Sequence, residues 1–354
     1  MSLEKEAERV KLERKAAGLE GLVGGLEFAV INAQPELQEA AAAELLRTTG
    51  HFCRQAYEDG DLRDFVLSAP GSADLIVRAR RRGANPFQGV NARPLTAKLP
   101  DTRLETFVFL AEDLRKYVPI QKSRGIKFLT PDILENDKYL FIQTPPSAYT
   151  GNSIGFVQWK GATRDYRHSG ARELAPLVKP DLPYLKNIGC LDHAATRVTA
   201  ENRDRAMLEF MELTGYYFDL AVYVEELNSI TNVTRLTETD FALVFTSGIK
   251  PFTDEASSGP TEKFVQLYGA RTHHLAFHTE HIEDTCAALA RDGMKYLIEL
   301  VGSEEEGLKQ TFTVPSKNTF LVSEYLYRYG DFDGFFTRSN VAALTRASGN
   351  IPND

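Results

Sequence analysis

The sequence predicts an α+β fold. Four β-α-β-β-β modules pair into two domains, each with curved mixed sheets around a cleft. Three observations carry this. Short apolar runs of strand length alternate with amphipathic runs of helix length. A stretch near residue 107 recurs near residue 275. A chain of 354 residues, 43% hydrophobic and 25% charged, suits two globular domains of ordinary size.

The recurrence is specific. Phe107-Val108-Phe109-Leu110-Ala111-Glu112-Asp113-Leu114 lies over Leu275-Ala276-Phe277-His278-Thr279-Glu280-His281-Ile282. Ser123-Arg124-Gly125-Ile126-Lys127-Phe128-Leu129 then lies over Arg291-Asp292-Gly293-Met294-Lys295-Tyr296-Leu297 without a gap. Gly25-Leu26-Glu27-Phe28-Ala29 lies more weakly over Cys190-Leu191-Asp192-His193-Ala194. A unit that cannot bury its own apolar face pairs with a neighbour.

In chain order, residues 1–22 read as a helix rich in Glu, Lys and Arg, with a thin apolar stripe at Val10, Leu12 and Leu19. It is expected to be solvated or to lie on a partner subunit, making a homo-oligomer. Residues 23–160 form the first domain. Its strands are expected at Gly25–Ile31, Leu62–Leu67, Asp74–Arg78, Thr106–Leu110, Ile126–Leu129, Tyr139–Gln143 and Ile154–Gln158. Its helices are expected at Leu37–Thr49, where alanines favour helix, and at Leu114–Ser123. The basic run Arg78–Arg82 reads as a solvated edge strand. Residues 161–185, with Gly170, Pro176, Pro180 and Pro183 among charges, read as a linker. Residues 186–354 form the second domain. Strands are expected at Ile188–Ala194, Tyr216–Glu225, Phe241–Thr246, Arg271–His278, Lys295–Leu300 and Thr319–Tyr327. Helices are expected at Asn202–Thr214, Thr261–Tyr268, Ile282–Arg291 and Val341–Ala347.

Composition narrows the function. The net charge of -8 argues against nucleic-acid binding, which needs a basic surface. No apolar run is long enough to span a bilayer, and the charged N-terminus does not read as a secretory signal, so no membrane partner is expected. Three scattered cysteines, Cys53, Cys190 and Cys286, fit a reducing cytoplasm.

Chemistry concentrates at Arg271-Thr272-His273-His274-Leu275-Ala276-Phe277-His278. Alternation along a strand puts His274, Ala276 and His278 on one face and His273 on the other. His274 and His193 both fall on the first strand of their modules, where two such strands can converge. Two histidines and one carboxylate on one face of a metal typify non-haem Fe(II) oxygenases. Glu324, within an apolar-aromatic strand, supplies a carboxylate whose burial metal ligation would offset. A salt bridge to Arg328 is the competing reading for Glu324. His278 lies four residues, roughly 13 Å, beyond His274, too far to share its metal. His51 and His168 fall in loops of no evident function.

Leu191-Asp192-His193, His273-His274-Leu275-Ala276-Phe277, Glu324 with Arg328, and Phe335-Phe336-Thr337-Arg338-Ser339-Asn340-Val341 together resemble the vicinal oxygen chelate superfamily, 4-hydroxyphenylpyruvate dioxygenase type. The resemblance implies an Fe(II) cofactor on His193, His274 and Glu324, the catalytic metal ligands. It implies a 2-oxo acid, an arylpyruvate or related, and O2 as the small-molecule partners. The acid chelates the metal, is oxidatively decarboxylated and is hydroxylated elsewhere in the same molecule. In the member that names the family this belongs to aromatic amino acid catabolism. Phe336, Asn340 and Val341 are implied as substrate-binding residues.

The sequence also departs from that family. His274 and Glu324 are 50 residues apart, fewer than in the named dioxygenases. The polar motif before the second histidine is replaced by Gly259-Pro260-Thr261-Glu262-Lys263, and Val341 stands where a second ring would sandwich the substrate. Arg338 and Lys317 are candidates to meet a substrate carboxylate. Two other metal readings therefore stand: an extradiol ring-cleaving dioxygenase, or a non-redox isomerase or lyase using Mn, Co or Mg as Lewis acid. A binding or resistance protein of the same fold is the non-enzymatic alternative.

Overall fold

A computed structural model describes residues 2–330, 332 and 334–349. Met1 and residues 350–354, the outer ends of the expected N-terminal helix and second domain, lie outside the described residues.

The first module runs β1 (Val23–Asn32), α2 (Gln38–Thr48), β2 (Phe52–Asp59), β3 (Leu62–Ser68) and β4 (Asp74–Arg80), after the leading helix α1 (Leu3–Ala16). The second runs β5 (Arg103–Ala111), α3 (Leu114–Ser123), β6 (Leu134–Glu135), β7 (Tyr139–Gln143) and β8 (Ser153–Trp159). After β9 (Arg172–Glu173), the third runs β10 (Ile188–Arg197), α4 (Arg203–Leu213), β11 (Tyr217–Val224), β12 (Ser229–Arg235) and β13 (Ala242–Ser247). Helix α5 (Pro260–Tyr268) precedes the fourth: β14 (Arg271–Thr279), α6 (Ile282–Arg291), β15 (Val301–Ser303), β16 (Leu308–Phe312) and β17 (Val322–Arg328), with α7 (Arg338–Ser348) closing the chain.

The two sheets repeat one topology. The first is ordered β6-β7-β8-β5-β1-β4-β3-β2-β9, the second β15-β16-β17-β14-β10-β13-β12-β11, so β9 is the sole addition. The register repeats too: Phe28 pairs with Val108 and Val30 with Thr106, as His193 pairs with Ala276 and Ala195 with His274. The glycines of the repeat, Gly125 and Gly293, both follow a helix in the left-handed region, φ 88° and 94°, which costs glycine nothing.

The two sheets pack their apolar outer faces and helices into one shared core. Phe109 of β5 meets Phe210 of α4 and Tyr216 at 5.6 and 5.4 Å between rings. The Tyr325 hydroxyl donates to Thr48 O at 2.8 Å, tying β17 to α2. The concave faces are left for the clefts.

Four expectations change. Residues 17–22 are turns, and α1 packs on α4 of its own chain. Its buried Arg14 donates to Met211 O, Thr214 O and Tyr216 O, carbonyls at the end of α4 that lack helical partners. The segment read as linker contributes β9 to the first sheet and buries Tyr166 in the first cleft. Strand β4 lies between β1 and β3, not at an edge, and its Arg78 and Arg80 are neutralised by Asp64 and Glu105. Residues 126–129 and 295–300 are not strands. Only Tyr296 forms an isolated bridge, to Thr313, while β2, β6, β12, β15 and β16 supply strands the sequence had not marked.

Candidate metal centre

Strands β10, β14 and β17 are neighbours at the middle of the second sheet. Ala276 pairs with His193 on one side and Glu324 on the other, so the two are level across a small residue. His274 stands two residues earlier on β14, beside Ala195. All three side chains face the cleft, where the Nε2 atoms of His193 and His274 each lie 3.2 Å from Glu324 Oε2. Among the described residues this is the cluster of metal-type ligands, with its atoms within 4.8 Å of one another. Exposure is 0% for His193, 8% for His274 and 1% for Glu324.

The donor set fits a divalent ion. Two atoms each about 2.0–2.2 Å from one metal, at a right angle, lie about 3 Å apart. His193 Nε2 is buried with no hydrogen-bond partner, an orphan that a metal would satisfy. Burial opposes a charge on His193, but the Glu324 and Asp192 carboxylates outweigh it and push its pKa up to about 9. Burial, then the charges of His193 and Arg197, hold His274 well below the usual histidine value. One imidazole therefore competes with a proton for metal while the other is already neutral.

Each ligand is oriented from behind. His193 Nδ1 bonds Asp192 Oδ1 at 2.8 Å, and Arg328 holds Asp192 with Nη1–Oδ2 at 2.5 Å and Nη2–Oδ1 at 3.1 Å. Arg328 thus pairs with Asp192, not with Glu324. Although partial burial raises it, the Asp192 pKa is kept below the usual carboxylate range by His193 and Arg328. Gln310 Nε2 donates to Glu324 Oε1 at 2.5 Å, and Asn340 Nδ2 donates to Gln310 Oε1 at 3.1 Å. His274 Nδ1 lies 2.9 Å from His273 Nδ1. His273 was expected on the opposite face. A β-bulge in β14, where Ala195 and Thr196 face His274 and Thr272, leaves His273 unpaired and re-aims it toward its neighbour.

A narrow cavity of about 50 Å3 opens beside the cluster. His274, Glu324, Phe312, Phe336, Val341 and Leu344 line it with Arg197 and the threonines Thr231, Thr246, Thr261 and Thr345. Helix α7 supplies Val341 and Leu344. Its Arg338 is tied to Glu225 and Glu226 on the rim, so it does not face the cavity. Lys317 is exposed in the loop before β17. Phe336 and Val341, implied as substrate-binding residues, line the cavity wall. Asn340 does not: it sits behind the wall, bonded to Leu308 O and Gln310. His278 is half-exposed against Tyr327, outside the cluster. His51, read as a loop residue, is fully buried between the halves, with Nε2 at 3.1 Å from Ala73 O and its ring edge-on to Phe277. Gln310, Asp192 and Arg197 were missed as site residues, although Arg197 follows His193 at a same-face spacing of four.

Neither a protein-family model nor a curated protein sequence matches the chain. Solved structures do. A triple mutant of 4-hydroxymandelate synthase from Streptomyces coelicolor matches with TM-score 0.67 at 17% identity, covering 92% of this chain and 98% of that one. A fusion protein of a xylose isomerase-like TIM barrel and 4-hydroxyphenylpyruvate dioxygenase matches with TM-score 0.62 at 14% identity. That match covers 98% of this chain and 57% of the fusion. A Mn(II)-bound glyoxalase from Novosphingobium aromaticivorans matches with TM-score 0.50 at 14% identity, covering 89% and 86%. The likeness is one of fold: the α+β architecture of two curled mixed sheets matches that of two vicinal oxygen chelate domains, the fold class the sequence implied. Among the described residues no helix is long and apolar enough to cross a membrane.

Proposed function

We propose that the chain is an Fe(II)-dependent dioxygenase that oxidatively decarboxylates and hydroxylates a 2-oxo acid. The observation that carries this is the convergence of His193 Nε2, His274 Nε2 and Glu324 Oε2 on one point at the wall of a buried cavity. The fold neighbours support a metal-dependent enzyme, two of them being a hydroxymandelate synthase and a hydroxyphenylpyruvate dioxygenase fusion. Bound to the three ligands, iron would supply a Lewis-acidic, redox-active centre with one face open.

The chain's own residues do the rest. Asp192, His273 and Gln310 fix the orientation of His193, His274 and Glu324, as hydrogen-bonded partners do behind metal ligands. Phe312 and Phe336 exclude water from the substrate side. The acid brings its own reducing equivalents, so the balance is 2-oxo acid plus O2 giving CO2 and a hydroxylated acid one carbon shorter. With Fe(II) and a panel of 2-oxo acids that includes arylpyruvates, we expect oxygen uptake matched by CO2 release, and mass spectrometry of the product shows the hydroxylated acid. Undiminished turnover in His193→Ala would sink the reading.

The glyoxalase neighbour and the short 50-residue spacing favour a second reading, a non-redox isomerase or lyase with Mn(II) as Lewis acid. Turnover by Mn-loaded protein under nitrogen would select it.

A further inference from the structure

Arg197 is the one feature of the cavity that a metal centre does not explain. It lies on β10 four residues after His193, on the face that also presents Ala195 to the cavity. It is 4% exposed. Among the described residues its Nη2 bonds Ser348 Oγ at 2.7 Å, no carboxylate lies within ion-pair distance, and Nη1 is buried with no partner at all. The guanidinium rests over the Phe264 ring at 4.7 Å, which holds it in place without neutralising it. Its register partner across β10 and β13 is Thr246, whose buried Oγ1 also has no partner. Two unsatisfied polar groups thus face one cavity side by side.

A buried cation without a counter-charge is strongly unfavourable. Among the other buried or part-buried arginines of the described residues, Arg78 has Asp64 and Arg80 has Glu105, while Arg14, Arg103 and Arg271 also lack a carboxylate but bond main-chain carbonyls and do not line this cavity. Burial even lowers the Arg197 pKa to about 9, a measure of how poorly the protein alone supports its charge. Because Arg197 lines the cavity, a bound ligand can supply the counter-charge. Ala195 pairs with His274, and Arg197 is two residues farther along the strand, roughly 7 Å. Along the strand that offset is the length of a short carbon chain, and the cavity, about 50 Å3, restricts the ligand to a small one.

We propose that Arg197 and Thr246 bind a carboxylate at the end of the substrate opposite its 2-oxo acid head, so that the substrate is a compact dianion. This rests on the reading of His193, His274 and Glu324 as the metal site that takes the head.

The test is calorimetric titration of Mn(II)-loaded protein under nitrogen with two probes of equal chain length, 2-oxohexanedioate and 2-oxohexanoate. We expect the dianion to bind at least tenfold more tightly. Arg197→Gln should remove that preference while changing the monoanion's affinity less than threefold, and Arg197→Lys should restore part of it. Equal affinities in the unmodified protein overturn the proposal, and do so even if neither variant folds. An equal loss for both probes in Arg197→Gln also overturns it, because Arg197 would then be meeting the head. A prior titration with Mn(II) alone separates the two levels: if Mn(II) binds and the preference is absent, only the Arg197 assignment fails. If Mn(II) does not bind and no preference is seen, the metal reading fails with it.

Discussion

Where the second sheet has His193, Ala276 and Glu324 side by side, the first has Phe28, Val108 and Gly155. Thr106 stands in the place of His274. Even the bulge is shared: Glu105 occupies the unpaired position of His273, and the same re-aiming turns it inward to Arg80. The two clefts have one backbone and opposite contents. The first is filled by Tyr166 against Phe28, by Tyr166 OH on Asp74 at 2.8 Å and by Trp159 Nε1 on Glu27 at 2.8 Å, with its arginines paired. The second keeps a cavity, orphaned donors and an unpaired arginine. Scaffold and site are therefore separable. Register sets where a side chain can reach, and residue identity decides whether the cleft is packed or left open for a ligand.

The largest effect expected from this contrast is on metal binding. Alanine at His193, His274 or Glu324 should lower Mn(II) affinity by more than the ~10–100-fold that loss of an outer partner costs. Phe28→Ala should leave that affinity unchanged. The reverse graft, Phe28→His with Thr106→His and Gly155→Glu, should still bind no metal. A Cβ at Gly155 would meet Val108 Cγ2 at 2.9 Å and Phe141 Cε2 at 3.3 Å, so the carboxylate has no room. Isothermal titration of the five variants distinguishes these outcomes, and a metal site in the graft would break the comparison.

Packing of the first cleft should show as stability. Arg80→Ala leaves Glu105 buried and unpaired, and we expect a loss of about 3–5 kcal/mol by denaturant unfolding. Arg80→Met with Glu105→Met should recover most of it.

Between the halves, His51 gives a pH signature. Burial depresses its pKa from 6.5 to about 4, so the unfolded chain takes up a proton that the folded one refuses. Its contribution is complete above pH 6.5 and is lost as pH falls toward 4, up to about 3 kcal/mol. Thermal unfolding across that window should be less steep in His51→Gln than in the parent.

The smallest effect concerns the partners behind the ligands. Asp192→Asn, which keeps the shape but loses the charge that Arg328 and His193 share, should weaken Mn(II) binding by ~10–100-fold without unfolding the chain. Retained affinity would reduce the Asp192–Arg328 pair to a strut.

The repeat and the pairing of modules could be seen in the sequence, because alternation and fixed spacing survive without contacts, while His193, His274 and Glu324 were singled out as a candidate set with the help of a family resemblance. Polar strands could not. Ser229–Arg235 is buried yet reads Ser-Ile-Thr-Asn-Val-Thr-Arg, its hydroxyls paid off by bonds such as Thr234 Oγ1 to Leu243 O at 2.6 Å. Arg78 and Arg80 read as solvent-facing because their carboxylates lie on other strands, 14 and 25 residues away. His273 was misplaced because a single bulge reverses facing, and nothing local to Thr272-His273-His274 announces one. For Arg197 the spacing from His193 was the one sequence signal, since an absent counter-charge is a property of three dimensions.

The central claim is that the second cleft, and not its twin, holds a metal on His193, His274 and Glu324. Anomalous diffraction at the iron edge from crystals grown with Fe(II) under nitrogen tests it most directly. The account predicts one peak per chain, about 2.0–2.2 Å from the two Nε2 atoms and Glu324 Oε2. A peak elsewhere, or none at the three ligands under saturating iron, would contradict it.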